Sequence, residues 1–154
     1  MDIKVREASE SDSEDIFTWR NDETTRRMSF TSDKVDWLGH SKWFESSLKN
    51  KQRALYICEY CSSKRSIGIV RFDIDTNNAI ISINLNPSER GKGLSKDCIK
   101  ESINRFIEDY VDIKEIWAEI KQSNKASQCA FISVGFEFIK QFGETLEYQF
   151  KIQR

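Results

Sequence analysis

Proline is nearly missing from this chain: Pro87 is the only one in 154 residues, and there are just six glycines. No stretch has the proline-, glycine- or serine-rich composition of a linker. Residues 1–154 therefore read as a single domain around one hydrophobic core. Histidine occurs once, at His40, and cysteine four times, at Cys58, Cys61, Cys98 and Cys129. Cys58 and Cys61 form a C-x-x-C pair, but no second pair follows it. Positions three apart on a strand face opposite sides, so the expectation is reduced thiols and no metal. An excess of either charge is also missing. Lys and Arg number 24 against 25 Asp and Glu, a net charge of −1, which leaves no bulk electrostatic footprint for nucleic acid. No apolar run approaches membrane-spanning length, and Met1 to Glu10 is polar where a signal peptide would be apolar. The expectation is a cytoplasmic protein that engages neither nucleic acid nor membrane.

What is present is a sequence of short periodic segments. Ile3 and Val5 mark a strand within residues 1–8. Ser11 or Asp12 can cap a helix whose apolar face uses Ile16, Phe17 and Trp19. Trp37 to Leu48 has helical spacing. Arg53–Tyr60, Ile67–Ile74 and Ala79–Leu85 read as a three-stranded meander with turns at 62–66 and 76–78. Ile99, Ile103, Phe106, Ile107 and Tyr110 mark one face of a helix that starts near Ser95. A strand at Ile113–Ile120, a short helix at Lys125–Val134 and a closing hairpin, Phe136–Phe142 with Leu146–Ile152, complete the order. This order predicts an α/β class: a mixed, mostly antiparallel sheet of about seven strands with helices on both faces.

The most informative segment is Glu89-Arg90-Gly91-Lys92-Gly93-Leu94-Ser95. It follows a β-branched run ending in Asn86-Pro87 and precedes the amphipathic helix. A loop of this kind exposes successive backbone N–H groups at the positive end of a helix dipole, which suits a pyrophosphate. Gly91 and Gly93 permit close approach and unusual dihedrals, while Arg90 and Lys92 add positive charge. The loop is too short for a Walker motif and lacks the three glycines of a dinucleotide fingerprint.

Arg90-Gly91-Lys92-Gly93-Leu94-Ser95 after an Asn-Pro turn resembles the acyl-CoA pyrophosphate loop of the GNAT N-acetyltransferase superfamily. Glu119 to Asn124, then Ser127, Phe131 and Gly135-Phe136, resembles the family's second signature, a strand followed by Asn-x-x-Ala, Tyr and Gly-Phe. Ser127 stands at the usual Ala, and Phe131 where many members carry a Tyr that serves as general acid. The resemblance implies the GNAT fold and acetyl-CoA as co-substrate. It implies fourth and fifth strands that are parallel and splay apart, often beside a bulge in the fourth. Ile83 to Asn86 would then hold the pantetheine arm through backbone groups, with the Leu85 N–H as oxyanion donor. Arg90, Gly91, Lys92, Gly93, Leu94 and Ser95 would hold the diphosphate, with Asn124, Ser127 and Phe131 beside the arm.

Glu119 is the candidate base, on the expectation that its apolar neighbours partly desolvate it; a solvent-facing carboxylate is the alternative. Asn124 either contacts the arm or caps the following helix. With Phe131 in place of a phenol, the leaving thiolate would depart unaided or take a proton from water, Cys129 or Ser127. A second resemblance covers Trp19-Arg20-Asn21-Asp22, Arg27, Ser29-Phe30, His40, Trp43-Phe44 and Ile67 to Asp73. These segments look like the N-acetyltransferases of nonulosonic (pseudaminic) acid biosynthesis, which act on a UDP-linked 4-amino sugar. The acceptor implied is a nucleotide-linked 4-amino-4,6-dideoxy sugar. Arg20, Arg27 and Arg71 would meet its diphosphate, Phe30 or Trp43 would stack on it, and Asn21 and His40 would complete the set. A peptide N-terminus or another small amine, and a weakly catalytic acyl-CoA-binding module, are the alternatives. A homodimer is compatible with the resemblance.

Overall fold

Arg53–Tyr60 holds six consecutive buried residues, more than a half-exposed strand would bury, because helices cover it from both sides. Leu55 and Ile57 pack with Ile16, Trp19 and Phe44 on one face, while Ala54, Tyr56 and Cys58 join Ile99, Ile103 and Phe106 on the other. The structure, a computed structural model, describes residues 2–154. Its strands are β1 (Ile3–Glu7), β2 (Arg53–Tyr60), β3 (Ser66–Asp75), β4 (Asn78–Leu85), β5 (Glu115–Lys121), β6 (Glu137–Phe142) and β7 (Thr145–Lys151). Its helices are α1 (Ser13–Arg20), α2 (Glu23–Met28), α3 (Trp37–Lys49), α4 (Ser95–Asp109) and α5 (Lys125–Val134). The strands form one sheet in the order β1-β2-β3-β4-β5-β7-β6. Every neighbouring pair is antiparallel except β4 and β5, which the α4 crossover makes parallel.

The expected architecture is present, and the helix faces follow from residue spacing. Ile99, Ile103 and Phe106 lie on one stripe of α4, and Phe106 stacks flat on Phe72 of β3 with centroids 3.9 Å apart. Three local features differ from expectation. Helix α2 has no counterpart in the apolar pattern because Glu23–Met28 buries no residue at all. It is held by polar contacts instead: Asp22 accepts the Thr25 N–H at 3.1 Å as N-cap. Asp12 does not cap α1 through its side chain, since that carboxylate accepts the Ser9 N–H at 2.9 Å and two guanidinium bonds from Arg6. Finally, β4 runs in unbroken register with β3, without a bulge, and the irregularities fall at Cys58/Glu59 and Phe138/Lys140.

Candidate active site

The parallel pairing of β4 with β5 stops early. Asn78, Ala79 and Ile80 face Glu115, Ile116 and Trp117, and beyond them the two strands part. Backbone direction alternates along a strand, so a single bond sets the rest. The Asn86 N–H donates to the Ile67 carbonyl at 2.8 Å, which turns Asn84 and Ser82 toward β3 and leaves Leu85 and Ile83 facing the gap. On the other bank, the Gln122 N–H donates to the Glu144 carbonyl at 2.7 Å, so Ile120 faces β7 and Glu119 faces the gap. The gap opens into a cleft of about 750 Å³ that runs from the loop after β4 to the ring of Trp43.

At one end lies that loop. Gly91 and Gly93 have φ of 75° and 72°, the left-handed region that a side chain strains. A Cβ at either would meet no protein atom within 4 Å. The first helical bond of α4 runs from the Cys98 N–H to the Leu94 carbonyl, and no N–H from Gly91 to Asp97 has a backbone acceptor among the described residues. The basic side chains are already engaged. Arg90 crosses to α2 and bonds the Asp22 carboxylate and the Thr25 hydroxyl, and Lys92 pairs with Glu89 at 3.1 Å. Arg90, Gly91 and Ser95 line the cleft; Leu94 is buried in the core, and Lys92 and Gly93 stand outside the lining.

Asn124 and Ser127 line the same cleft, and the Asn124 side chain accepts the Ser127 N–H at 3.2 Å, so it caps α5 whatever else it touches. Phe131 lines the wall while packing edge-on against Phe136, with centroids 5.0 Å apart. No tyrosine lines the cleft among the described residues, and Cys129 is exposed away from it. Glu119 lines the cleft but is exposed. The expected desolvation is absent, because the apolar neighbours Ala118 and Ile120 point to the opposite face of the sheet.

At the far end, Arg20 and Arg71 converge on Trp43, with guanidinium carbons 4.4 and 5.9 Å from its ring centroid. Burial, reinforced by the charge of Arg71, holds Arg20 below the usual guanidinium pKa, and burial does the same to Arg71. The Arg71 Nε lies 3.2 Å from Asp73 but is not aligned for a hydrogen bond, and it has no other partner. His40 does not enter the cleft. It is buried, its Nε2–H donates to the Ser13 carbonyl at 2.9 Å, and its Nδ1 accepts from Arg20 at 2.9 Å. Burial and then the Arg20 charge hold its pKa down against the Ser13 bond, which fits the neutral ring this pairing requires. Asn21 clamps the Val35 backbone through two bonds of 2.8 Å, while Arg27 and Phe30 are exposed, and all three stand outside the lining. The structure thus brings together Arg20, Trp43 and Arg71 and leaves Asn21, Arg27, Phe30 and His40 behind or beside them. It adds Asp22, Thr25 and Glu89: the motifs contain Asp22 and Glu89 without giving either a role, and they do not reach Thr25. An Asp followed by Glu-Thr-Thr is a legible helix start, and that was the available signal for the first two.

Residues 2–137 match the family model described as Acetyltransferase (GNAT) domain. No curated protein matches the chain. Among solved structures, the fold is similar to that of a spermidine N-acetyltransferase from Vibrio cholerae in complex with CoA and spermine. There the TM-score is 0.86 and the identity 14%, over 97% of this chain and 95% of that one. A domain from Methanocaldococcus jannaschii aligns with a TM-score of 0.84 at 20% identity, over 97% and 98%. The parallel strand pair that parts, the glycine loop and the family match agree: the chain belongs to the GNAT acetyltransferase family and is an acetyl-CoA-dependent N-acetyltransferase.

Proposed function

We propose that the protein acetylates the primary amine of a small acceptor that carries an anionic group, in the form of a nucleotide-linked 4-amino-4,6-dideoxy sugar. The observation that carries this reading is the pair Arg20 and Arg71 over Trp43 at the inner end of the cleft, two guanidiniums with no carboxylate fully engaging either. Such a pair suits the bidentate geometry of phosphate, and an indole face suits a base or sugar ring. A polycation such as spermidine would meet these charges, although Asp33 and Glu119 line the same cleft and give the polyamine reading a foothold.

The chain fits the co-substrate at three places. Gly91 to Asp97 offer N–H groups without backbone acceptors for a diphosphate. Ile83 and Leu85 offer gap-facing backbone to the pantetheine arm, and Asn124, Ser127 and Phe131 wall it in. Acetyl-CoA supplies the activated acetyl group. The Leu85 N–H is a preorganised dipole for charge developing on the thioester oxygen. Glu119, open to solvent, takes a proton from the acceptor ammonium directly or through one water, and the neutral amine then attacks. Ser127, whose residue lines the cleft, or water would protonate the departing thiolate, which is tolerably stable near neutral pH without a phenol.

The test compares specificity constants for a UDP-linked 4-amino sugar, the same sugar without its nucleotide, and spermidine. Remote binding energy positions the amine, so the nucleotide-linked acceptor is expected to lead, and to lose that lead in Arg71→Ala. A preference for spermidine, or equal constants for the two sugars, overturns the proposal.

A further inference from the structure

One carboxylate beside the diphosphate loop, Glu89, has no part in the proposed reaction. Glu89 ends the short 3-10 helix Pro87–Glu89, two residues before Gly91, and its N–H bonds back to the Asn86 carbonyl at 2.8 Å. Its side chain is 1% exposed and does not line the cleft. A carboxylate covered beside an anion-binding loop is unfavourable unless its charge is met, and here it is met three times. The Tyr60 hydroxyl donates at 2.6 Å from the end of β2, Lys92 Nζ donates at 3.1 Å from within the loop, and Arg65 stands 3.6 Å away in the turn between β2 and β3. The Tyr60 bond foremost, then Lys92, holds its pKa below the usual carboxylate value, so it keeps its charge at neutral pH.

The contacts have a direction. Lys92 is fastened through Glu89 to β2, and Arg90 is fastened through Asp22 and Thr25 to α2. The left-handed Gly91 lies between these two anchors, where the run of free N–H groups begins. With both cations paired inside the protein, the geometry of those N–H groups, rather than free positive charge, is left to recognise the diphosphate. We infer that Glu89 is a positioning residue for co-substrate binding: through Lys92 it sets the loop backbone that receives the diphosphate of acetyl-CoA. The inference depends on the acetyl-CoA activity alone and is independent of the acceptor.

The experiment is calorimetry on the full chain with two ligands, acetyl-CoA and acetyl-pantetheine, which shares the thioester and arm but has no phosphate. Glu89→Gln keeps the shape and an oxygen for Tyr60 but drops the charge that holds Lys92. The acetyl-CoA Kd is expected to rise about tenfold while the acetyl-pantetheine Kd stays level. In a Lys92→Met background, Glu89→Gln should add no further loss. Tyr60→Phe removes one bond and keeps the carboxylate. It should weaken acetyl-CoA about threefold with the same indifference to acetyl-pantetheine, and it carries the test if Glu89→Gln does not fold. Equal weakening of both ligands would reassign Glu89 to general stability, and an unchanged acetyl-CoA Kd would remove the role.

Discussion

Gly68 of β3 sits opposite Leu85, and its lack of a side chain places the Leu85 amide. A Cβ at Gly68 would lie 2.9 Å from the Asn84 carbonyl oxygen, 3.0 Å from Leu85 Cδ2 and 3.1 Å from Leu85 Cα. Two of these three atoms are backbone, which cannot swing aside as a side chain can. Restoring an ordinary van der Waals distance of 3.4 Å displaces the end of β4 by about 0.5 Å. That displacement falls on the N–H assigned to the thioester oxygen. A misplacement of about 1 Å in a reacting geometry costs roughly 100-fold, so Gly68→Ala is expected to lower kcat about tenfold. Overpacking adds roughly 1–3 kcal/mol of destabilisation. The assay is free-thiol release at saturating acetyl-CoA and acceptor, with thermal unfolding alongside. The N–H groups from Gly91 onward lie beyond the 3-10 helix Pro87–Glu89 from the clash, so acetyl-CoA affinity should fall less than kcat. A folded Gly68→Ala protein with lowered Tm and wild-type kcat would show that the Leu85 amide is not the oxyanion donor.

Two further outcomes follow from the same cleft. Glu119→Gln should lower turnover about 100-fold at neutral pH, with the deficit shrinking as pH rises and the amine sheds its own proton; a flat, near wild-type profile would leave Glu119 as a solvated surface carboxylate. Phe131→Tyr adds a phenol to the wall beside the arm, so turnover should hold or rise at unchanged acetyl-CoA affinity, and loss of affinity would make Phe131 a packing residue against Phe136 only.

The parts of this molecule written in periodicity were legible from sequence. The α4 stripe, the β2–β4 meander and the closing hairpin lie within a residue or two of their expected places. Helix α2 was not, because a six-residue helix that buries nothing leaves no apolar period to read; it is held by its cap and by polar contacts with Arg90, Asn84 and Lys121, which are distant in sequence. The glycine loop was legible because left-handed backbone needs glycine. The pairing of its cations was not, because Glu89–Lys92 and Arg90–Asp22 depend on where Tyr60 and α2 lie in space. The acceptor set shows the same limit. Arg20, Trp43 and Arg71 come from α1, α3 and β3, and spacing along the chain does not distinguish them from Arg27, Phe30 and His40. The exposure of Glu119 turned on a related point: its apolar neighbours are adjacent in sequence and therefore on the opposite face, so of the two readings left open the solvent-facing carboxylate is the one found.

The measurement that bears most directly on the site is a crystal structure of the protein with acetyl-CoA. The expected complex has the diphosphate on the N–H groups following Arg90, the pantetheine arm between the parted ends of β4 and β5, and the thioester oxygen about 2.7–3.1 Å from the Leu85 nitrogen. The acetyl group would then face Glu119 and the Arg20, Trp43 and Arg71 end of the cleft. An arm that lies outside the gap between β4 and β5, or a diphosphate held away from Gly91 to Ser95, would contradict the account.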